Sequence, residues 1–441
     1  MYNEKIIFKL HQLLQFSLSS AKGRKACHVT AGLPLLGPAV MGKTGAWQVG
    51  AWQAEQHAAG TAMQIAKIES FVTPDVGFVR VTTDDGHFGW GQMSTYHADI
   101  TAQVLHRQVS PWILGRGIDA DNPVSDLLDM AALVNEREHK FPGSYVRRAL
   151  AGVDTALWDL LGRMAARPVT SLIGGAPGRL RAYASSMKRD ITPADEADRM
   201  CRLRDEKGFD AFKFRVGAEC GRGRDEWPGR TEEIVEIVPR ALGDGVVKMV
   251  DANSCFGVDR AIKVGRMLEA NGITHYEEPC PYWQPDLTRQ VTHALDIDVT
   301  GGEQDCDMRH WQDMIDRHVV DVLQPDVMYM GGLTPTLALA RVMAGGGPDG
   351  VAYPCTPHAA NLSLVTICTM HLLKAIPNAG PYLELAIEGA DYYPWTQDLF
   401  LGDPFAVDGG HVSVSDAPGW GVEINPEWLD RAAHGVSQQD K

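Results

Sequence analysis

The chain has no apolar run long enough to cross a bilayer. Its most hydrophobic stretches are broken by Gly, Pro or charge, which excludes a spanning helix. Basic residues are in deficit: 41 Lys and Arg stand against 56 Asp and Glu, for a formal net charge of −15. A surface of that sign does not suit a general nucleic-acid binder, which needs a basic face. An anionic small substrate stays open, because a local cation inverts the local field. No GxGxxG follows a first strand, so no dinucleotide fingerprint is present. The eight Cys, among them Cys27, Cys201, Cys220, Cys255, Cys280 and Cys306, form no CxxC pair and no tight ligand cluster. A reduced, cytoplasmic protein without disulfides is the plain expectation. With 44% apolar residues over 441 positions, the overall composition disfavours long disorder, and a large barrel plus a smaller domain can be buried.

The first 62 residues show no regular pattern. The start MYNEK is mixed in sign, and the apolar segment after it is interrupted by His and Gln, which disfavours a secretion signal. A leader or extension, disordered in part, is expected over 1–62. From Ile65 the strands KIESFV, GFVRVTTDDG and HFGWGQM read as an antiparallel meander with a DDG turn. Helices through ITAQVLHRQVSPWIL and SYVRRALAGVDTALWDLLGRMA complete a small α+β domain over 63–178.

Beyond Arg181 the rhythm becomes one strand and one helix, repeated. LRAYASS, AFKFRV, VVKMVDAN, THYEEPC, DVTGGE, VDVLQPD, VAYPCTPH and PYLEL are eight short strands, most of them followed by a helical stretch. Such alternation means parallel strands with right-handed crossovers, and eight of them close as a barrel over 179–387; a doubly wound open sheet is the rival. Residues 388–430 read as a hairpin that returns to the first domain, and 431–441 as a tail.

Acids recur at the strand ends. Asp251, Glu277 and Glu303 are spaced by 26 and 26 residues, one strand–helix unit each. Asp326, His358 and Glu384 end the next three strands. In a barrel this end is where catalytic groups gather. Three converging carboxylates repel one another, and a hard divalent cation resolves the conflict; magnesium, calcium or manganese would accept these ligands. Asp326 can hold one ring nitrogen of His358 and orient the imidazole as a base. Lys213 and Arg215, at i and i+2, share a face and put two cations near a substrate carboxylate. A Glu384 carboxyl kept protonated by burial could donate to a developing oxyanion. Asn253 faces the same way as Asp251 and can orient substrate or ligand. The Gly331–Gly332 turn before Thr334 is a weak anion signal, and Trp90 and Trp158 read as packing.

This set of motifs resembles the mandelate racemase subgroup of the enolase superfamily. The resemblance rests on Asp251, Glu277 within YEEP, Glu303 within GGE, Asp326 within LQPD, and His358 within PH, and it covers about residues 65–430. It implies an α+β capping domain closing over a modified (β/α)7β TIM barrel, with the 388–430 segment completing the cap. It implies Mg2+ on Asp251, Glu277 and Glu303, a His358–Asp326 dyad, and an electrophilic Glu384, while Glu278 is structural. Members act on small sugar acids and form homo-oligomers. One departure stands out: the family's Lys-x-Lys is here Lys213-Phe214-Arg215. A guanidinium does not release its proton near neutrality, so a two-base racemase is disfavoured and a one-base reaction through His358 is left. The resemblance therefore implies dehydration of an aldonate or aldarate to a 2-keto-3-deoxy acid, with an epimerase as the alternative. Lys188 and His97, the latter beside Tyr96 in a cap loop, are candidate contacts to a distal carboxylate.

Overall fold

The computed structural model describes residues 63–439 apart from 94, 349 and 397, together with the short strands β1 (Val40–Met41) and β2 (Trp47–Gln48). The chain divides into two units, Met1–Gln53 and Ala54–Lys441. In the first, β1 and β2 pair antiparallel. The expected leader otherwise lies outside the described residues.

In the second unit β3 (Met63–Val72), β4 (Gly77–Thr83) and β5 (Phe88–Met93) form the expected meander, and the short β6 (Gly117–Ile118) pairs antiparallel with the start of β3. Its DDG turn closes with the Thr83 and Gly86 amides donating to the His87 and Thr83 carbonyls, at 2.9 and 3.0 Å. The helix Ser144–Met164 lies directly on β5. Gly89 and Gly91 allow this: a Cβ on Gly91 would stand 2.2 Å from the Gly152 carbonyl oxygen, and one on Gly89 2.2 Å from that of Ala156. The alternation in FGWGQM thus gives one smooth face to the helix and Trp90 to the other side.

The barrel strands are β7 (Gly178–Ser185), β8 (Ala211–Arg215), β9 (Val247–Asp251), β10 (His275–Glu277), β11 (Asp298–Gly301), β12 (Val322–Leu323) and β13 (Leu383–Ala386). Consecutive strands from β7 to β12 pair in parallel, and β13 pairs in parallel with β7. The seventh expected strand, VAYPCTPH, is reduced to isolated bridges: Leu323 with Cys355, Asp326 with His358, and Cys355 with Ala379. Pro354 and Pro357 explain this, since neither has an N–H to give to a ladder. The bridges still close the ring. Helices Pro193–Lys207, Arg230–Leu242, Val258–Ala270, Pro285–Ala294, Met308–Asp316, Leu333–Gly345 and Leu364–Leu373 alternate with the strands. The result is a (β/α)7β barrel with an α+β cap.

The C-terminal segment divides in a way the sequence pattern does not show. β14 (His411–Val414) pairs antiparallel with the first half of β7, on the barrel. β15 (Ala433–Gln438), read above as tail, is the strand that joins the cap sheet, along β3. Gln92 ties cap to barrel, donating to Ser363 Oγ at 2.9 Å and accepting from the Leu364 amide at 2.8 Å. Trp158 is fully packed and donates to Thr334 Oγ1 at 2.9 Å, so both residues serve the cap–barrel seam. Among the described residues no helix is long and apolar enough to cross a membrane.

Candidate active site

Parallel strands deliver their C-terminal residues to one end of the barrel, and there the chain concentrates buried charge. Asp251 and Glu277 are the last residues of β9 and β10, and Glu303 follows β11 by two; all three are buried. Lys213 and Arg215, both on β8, are also buried. The Lys213 ammonium donates to Glu277 Oε2 at 2.6 Å, sits 2.7 Å from Glu384 Oε1, and lies 3.9 Å from Asp251 Oδ2. Burial opposes its charge, but Glu277 and Glu384 outweigh that and hold its pKa above the lysine range. Arg215 pairs with Asp251 Oδ2, and also donates to Asn253 Oδ1 at 2.8 Å and the Ser186 carbonyl at 2.7 Å.

Asn253 stands directly beyond β9 in left-handed backbone, φ +36°. In that turn its amide reaches Asp251 Oδ1 at 2.7 Å, and its own Oδ1 accepts a second guanidinium, Arg189 Nη2, at 2.6 Å. Asn253 thus links Asp251 to both arginines.

On the opposite side, His358 Nδ1 lies 2.8 Å from Asp326 Oδ2. Asp326 is itself fixed, its Oδ1 accepting the Met328 and Tyr329 amides at 2.7 and 3.0 Å. That leaves His358 Nε2 directed into the site, 3.6 Å from Glu303 Oε2. The His358 side chain keeps 14% of its surface exposed, against 2% for Lys213. Burial works against a charged imidazole, yet Glu303 and Asp326 raise its pKa well above the histidine range. Glu303 is pushed up in turn by burial and by Glu277, with His358 pulling the other way.

Glu384 lies within β13 and accepts from Ser185 Oγ at 2.8 Å and from the Ala359 amide at 3.0 Å. The expectation of a protonated carboxyl is corrected here. Burial alone would raise its pKa, but Lys213 and His358 bring it below the usual carboxylate range, so Glu384 is an anion. Among the described residues no group of three or more His, Cys, Asp or Glu is arranged as a metal-holding set. The reason is local: Lys213 and Arg215 draw Asp251 and Glu277 into ion pairs, and Glu303 turns toward His358.

Two expected contacts fall outside this group. Lys188 is committed to Asp391 at 2.9 Å, and His97 is exposed, its carbonyl accepting the Thr101 hydroxyl at 3.1 Å. Other residues enter that the sequence reading passed over. Arg189 follows Lys188 directly, and a basic pair just past the first barrel strand could have flagged it. The Tyr329 ring is 6.0 Å from that of His358, and the Arg148 guanidinium lies 3.5 Å from its centroid. The Lys213 ammonium also lies 5.4 Å from the ring centroid of Tyr183, in β7. In the loop after β13 the Tyr393 ring packs against Tyr392 and Trp395, centroids 4.8 and 5.1 Å away, and Tyr96 of the cap lies 5.5 Å from Trp395.

Known proteins are similar to this chain in sequence and fold. A family model described as "Enolase C-terminal domain-like" matches residues 195–428, and one described as "Mandelate racemase / muconate lactonizing enzyme, N-terminal domain" matches 36–174, beginning inside the expected leader. A solved structure from Roseobacter denitrificans, provisionally described as a racemase, is 60% identical with a TM-score of 0.82, covering 86% of this chain and 100% of that one. A mandelate racemase/muconate lactonizing protein from Paracoccus denitrificans PD1222, complexed with magnesium, is 28% identical with a TM-score of 0.74, covering 85% and 98%. The arabinonate dehydratase of Saccharolobus solfataricus is 28% identical over 356 residues, 78% of this chain and 87% of that protein. The D-galactarolactone cycloisomerase of Agrobacterium fabrum is 29% identical over 359 residues, 80% and 89%.

Proposed function

The chain belongs to the enolase superfamily, in its mandelate racemase/muconate-lactonizing subgroup, and from that premise we propose that it is a magnesium-dependent dehydratase of a sugar acid. Its relatives include sugar-acid dehydratases, racemases and cycloisomerases, so the choice among these rests on the site. One observation carries it: a single imidazole, oriented by Asp326 on one nitrogen and open on the other, faces two cations that are already saturated by carboxylates.

The residues present fit a hard divalent cation. Asp251, Glu277 and Glu303 offer only oxygen donors from three successive strands, all are buried, and Glu277 Oε1 has no hydrogen-bond partner. Magnesium held there would polarise a bound carboxylate and make the adjacent C–H bond acidic. A cation held by Glu303 would draw that carboxylate away from His358, whose Nε2 faces the site as the base. Asp326 keeps the proton on Nδ1 and stabilises the imidazolium that forms. Lys213 meets the negative charge developing on the substrate carboxylate. Arg215, a permanent cation, binds and does not titrate. The β-hydroxyl then leaves as water, and the enol becomes a 2-keto-3-deoxy acid.

The test is a screen of the purified protein with Mg2+ against five- and six-carbon aldonates and aldarates, reading keto acid as its semicarbazone. The expected result is product from one acid that disappears in His358→Asn and after chelation. Keto acid from none of them overturns dehydration. The rival is epimerisation, favoured by the 60% identical relative described provisionally as a racemase. It needs a second base on the β8 side, where Lys213 is the candidate, and would show as Cα–H exchange in D2O without keto acid.

A further inference from the structure

Most cations around the ends of β7 and β8 are answered by acids. Lys188 pairs with Asp391, Arg199 with Glu196 and Glu388, Lys213 with Glu277 and Glu384, and Arg215 with Asp251. Arg189 forms no ion pair among the described residues. Building on the sugar-acid reading, we infer that Arg189 is a specificity-determining residue: its guanidinium takes the second carboxylate of a dicarboxylic sugar acid, so the substrate is an aldarate.

Arg189 stands in the loop beyond β7, and two hydrogen bonds fix its side chain at the barrel mouth. Nε donates to the carbonyl of Gly217, just past β8, at 3.1 Å. Nη2 donates to Asn253 Oδ1, just past β9, at 2.6 Å. The same Oδ1 accepts Arg215 Nη1 at 2.8 Å, and Asn253 Nδ2 donates to Asp251 Oδ2 at 3.2 Å. Asn253 is therefore the single link between the Arg189 guanidinium and a carboxylate of the barrel centre. Nε and Nη2 make up one edge of the planar guanidinium, and the protein uses both. The other edge is Nη1 with the second Nη2 hydrogen. Nη1 makes no hydrogen bond among the described residues and is not one of the fully enclosed atoms without a partner. An edge of two parallel N–H groups matches a carboxylate in shape as well as charge.

Charge argues the same way. Two guanidiniums meet on one neutral amide oxygen, and Arg215 has Asp251 as counter-charge where Arg189 has none. Burial and Arg215 draw the Arg189 pKa down to about 10, against the pull of exposed Glu219, which forms no ion pair with it among the described residues. An anion on the open edge offsets that repulsion. Arg230 also lacks a carboxylate partner among the described residues, but it is fully buried on the Arg215 carbonyl, out of reach of a ligand. Lys213 meets the carboxylate beside Cα, which leaves the open edge of Arg189 for the far one. A monocarboxylic sugar acid puts a hydroxymethyl group there and leaves the guanidinium uncompensated.

The experiment measures binding by calorimetry with Mg2+ present, in the His358→Asn protein, which does not consume the ligand, with and without Arg189→Met. The probes are matched pairs that differ only at the far carbon: glucarate with gluconate, galactarate with galactonate, and mannarate with mannonate. The expected result is a pair in which the diacid binds about 10²-fold more tightly, a preference that Arg189→Met abolishes while the monoacid Kd moves less than threefold. Arg189→Lys, which keeps the charge and loses the fork, should retain part of it. The absence of a diacid preference in every pair overturns the assignment. Equal loosening of both acids by Arg189→Met also overturns it and makes Arg189 a structural support. The reaction is read separately, as keto acid from wild type. Keto acid from aldonates alone overturns the diacid subsite and leaves dehydration standing. A diacid preference carried by Arg189, with keto acid from none of the probes or the screened acids, overturns dehydration and leaves the subsite standing.

Discussion

The two sides of the barrel mouth treat charge in opposite ways. At the end of β8, Lys213 and Arg215 are buried and each is answered by carboxylates, Glu277 and Glu384 for one and Asp251 for the other. At the seventh strand, one imidazole has one orienting carboxylate and keeps an accessible nitrogen. Ion pairs of this burial fix position and suppress titration, because losing either charge leaves the other uncompensated. A single oriented imidazole does the reverse and can exchange a proton. Under the proposed reaction, position is therefore built on one side and proton transfer on the other.

The most damaging change to this contrast is His358→Asn. With β12, Asp326 and the carboxylates left in place, both Cα–H exchange and keto acid formation should fall by about 10²–10⁴-fold, checked by NMR in D2O and by semicarbazide absorbance. Comparable exchange by the variant would mean that the base lies on the β8 side. Arg215→Lys sharpens the contrast from the other direction. It restores a titratable group but gives up the guanidinium bond to the Ser186 carbonyl. Dehydration should slow about tenfold for a lost charged hydrogen bond of roughly 1.5 kcal/mol, and exchange from the opposite α-epimer should appear.

The smallest effect on catalysis, and a separate one on stability, comes from a third histidine. His371 is buried where cap helix, barrel helix and C-terminal segment meet. The Thr170 amide donates to its Nδ1 at 3.0 Å, so Nε2 carries the proton toward the Trp420 carbonyl at 3.3 Å. No carboxylate appears among the charges on it, and burial, eased in part by the Trp420 carbonyl, brings its pKa down from 6.5 to about 4. The unfolded chain therefore binds the extra proton between those values. The stability contributed by the neutral ring is complete above pH 6.5 and is lost as pH falls toward 4. At full effect this is roughly 3 kcal/mol. Thermal unfolding of wild type should become less favourable to the fold across that window, and His371→Gln should flatten the difference while turnover at pH 7.5 stays as it was. Parallel curves for the two proteins would remove His371 from this role. The same side chain is thus driven up by acids at His358 and down by their lack at His371.

Much of the site was legible because its logic is periodic. Each barrel strand is a short apolar run ending in a polar residue, and a unit repeat of 26 brings Asp251, Glu277 and Glu303 to one end whatever the loops do. The Asp326–His358 pair follows from adjacent strands in the same way, and the observed bridge between those two residues is its backbone counterpart. Legibility stopped where contacts are distant in sequence. Glu384 reads as a buried acid until Lys213, on another strand, makes it an anion. Lys188 reads as a free cation until the chain returns with Asp391, 203 residues later.

What the sequence determined alone was the order of strands and helices, the face each side chain takes, and so the company of acids at one barrel end. Those follow from periods of two and of about 3.6 residues that any reader of the chain can count. What only the tertiary structure decided was which charges are neutralised, that two prolines thin the seventh strand to bridges, and that the last strand, β15, closes the edge of the cap sheet. The physical reason is range: backbone geometry acts between neighbours, whereas desolvation and Coulomb forces act between whatever residues the closed barrel brings within a few ångströms.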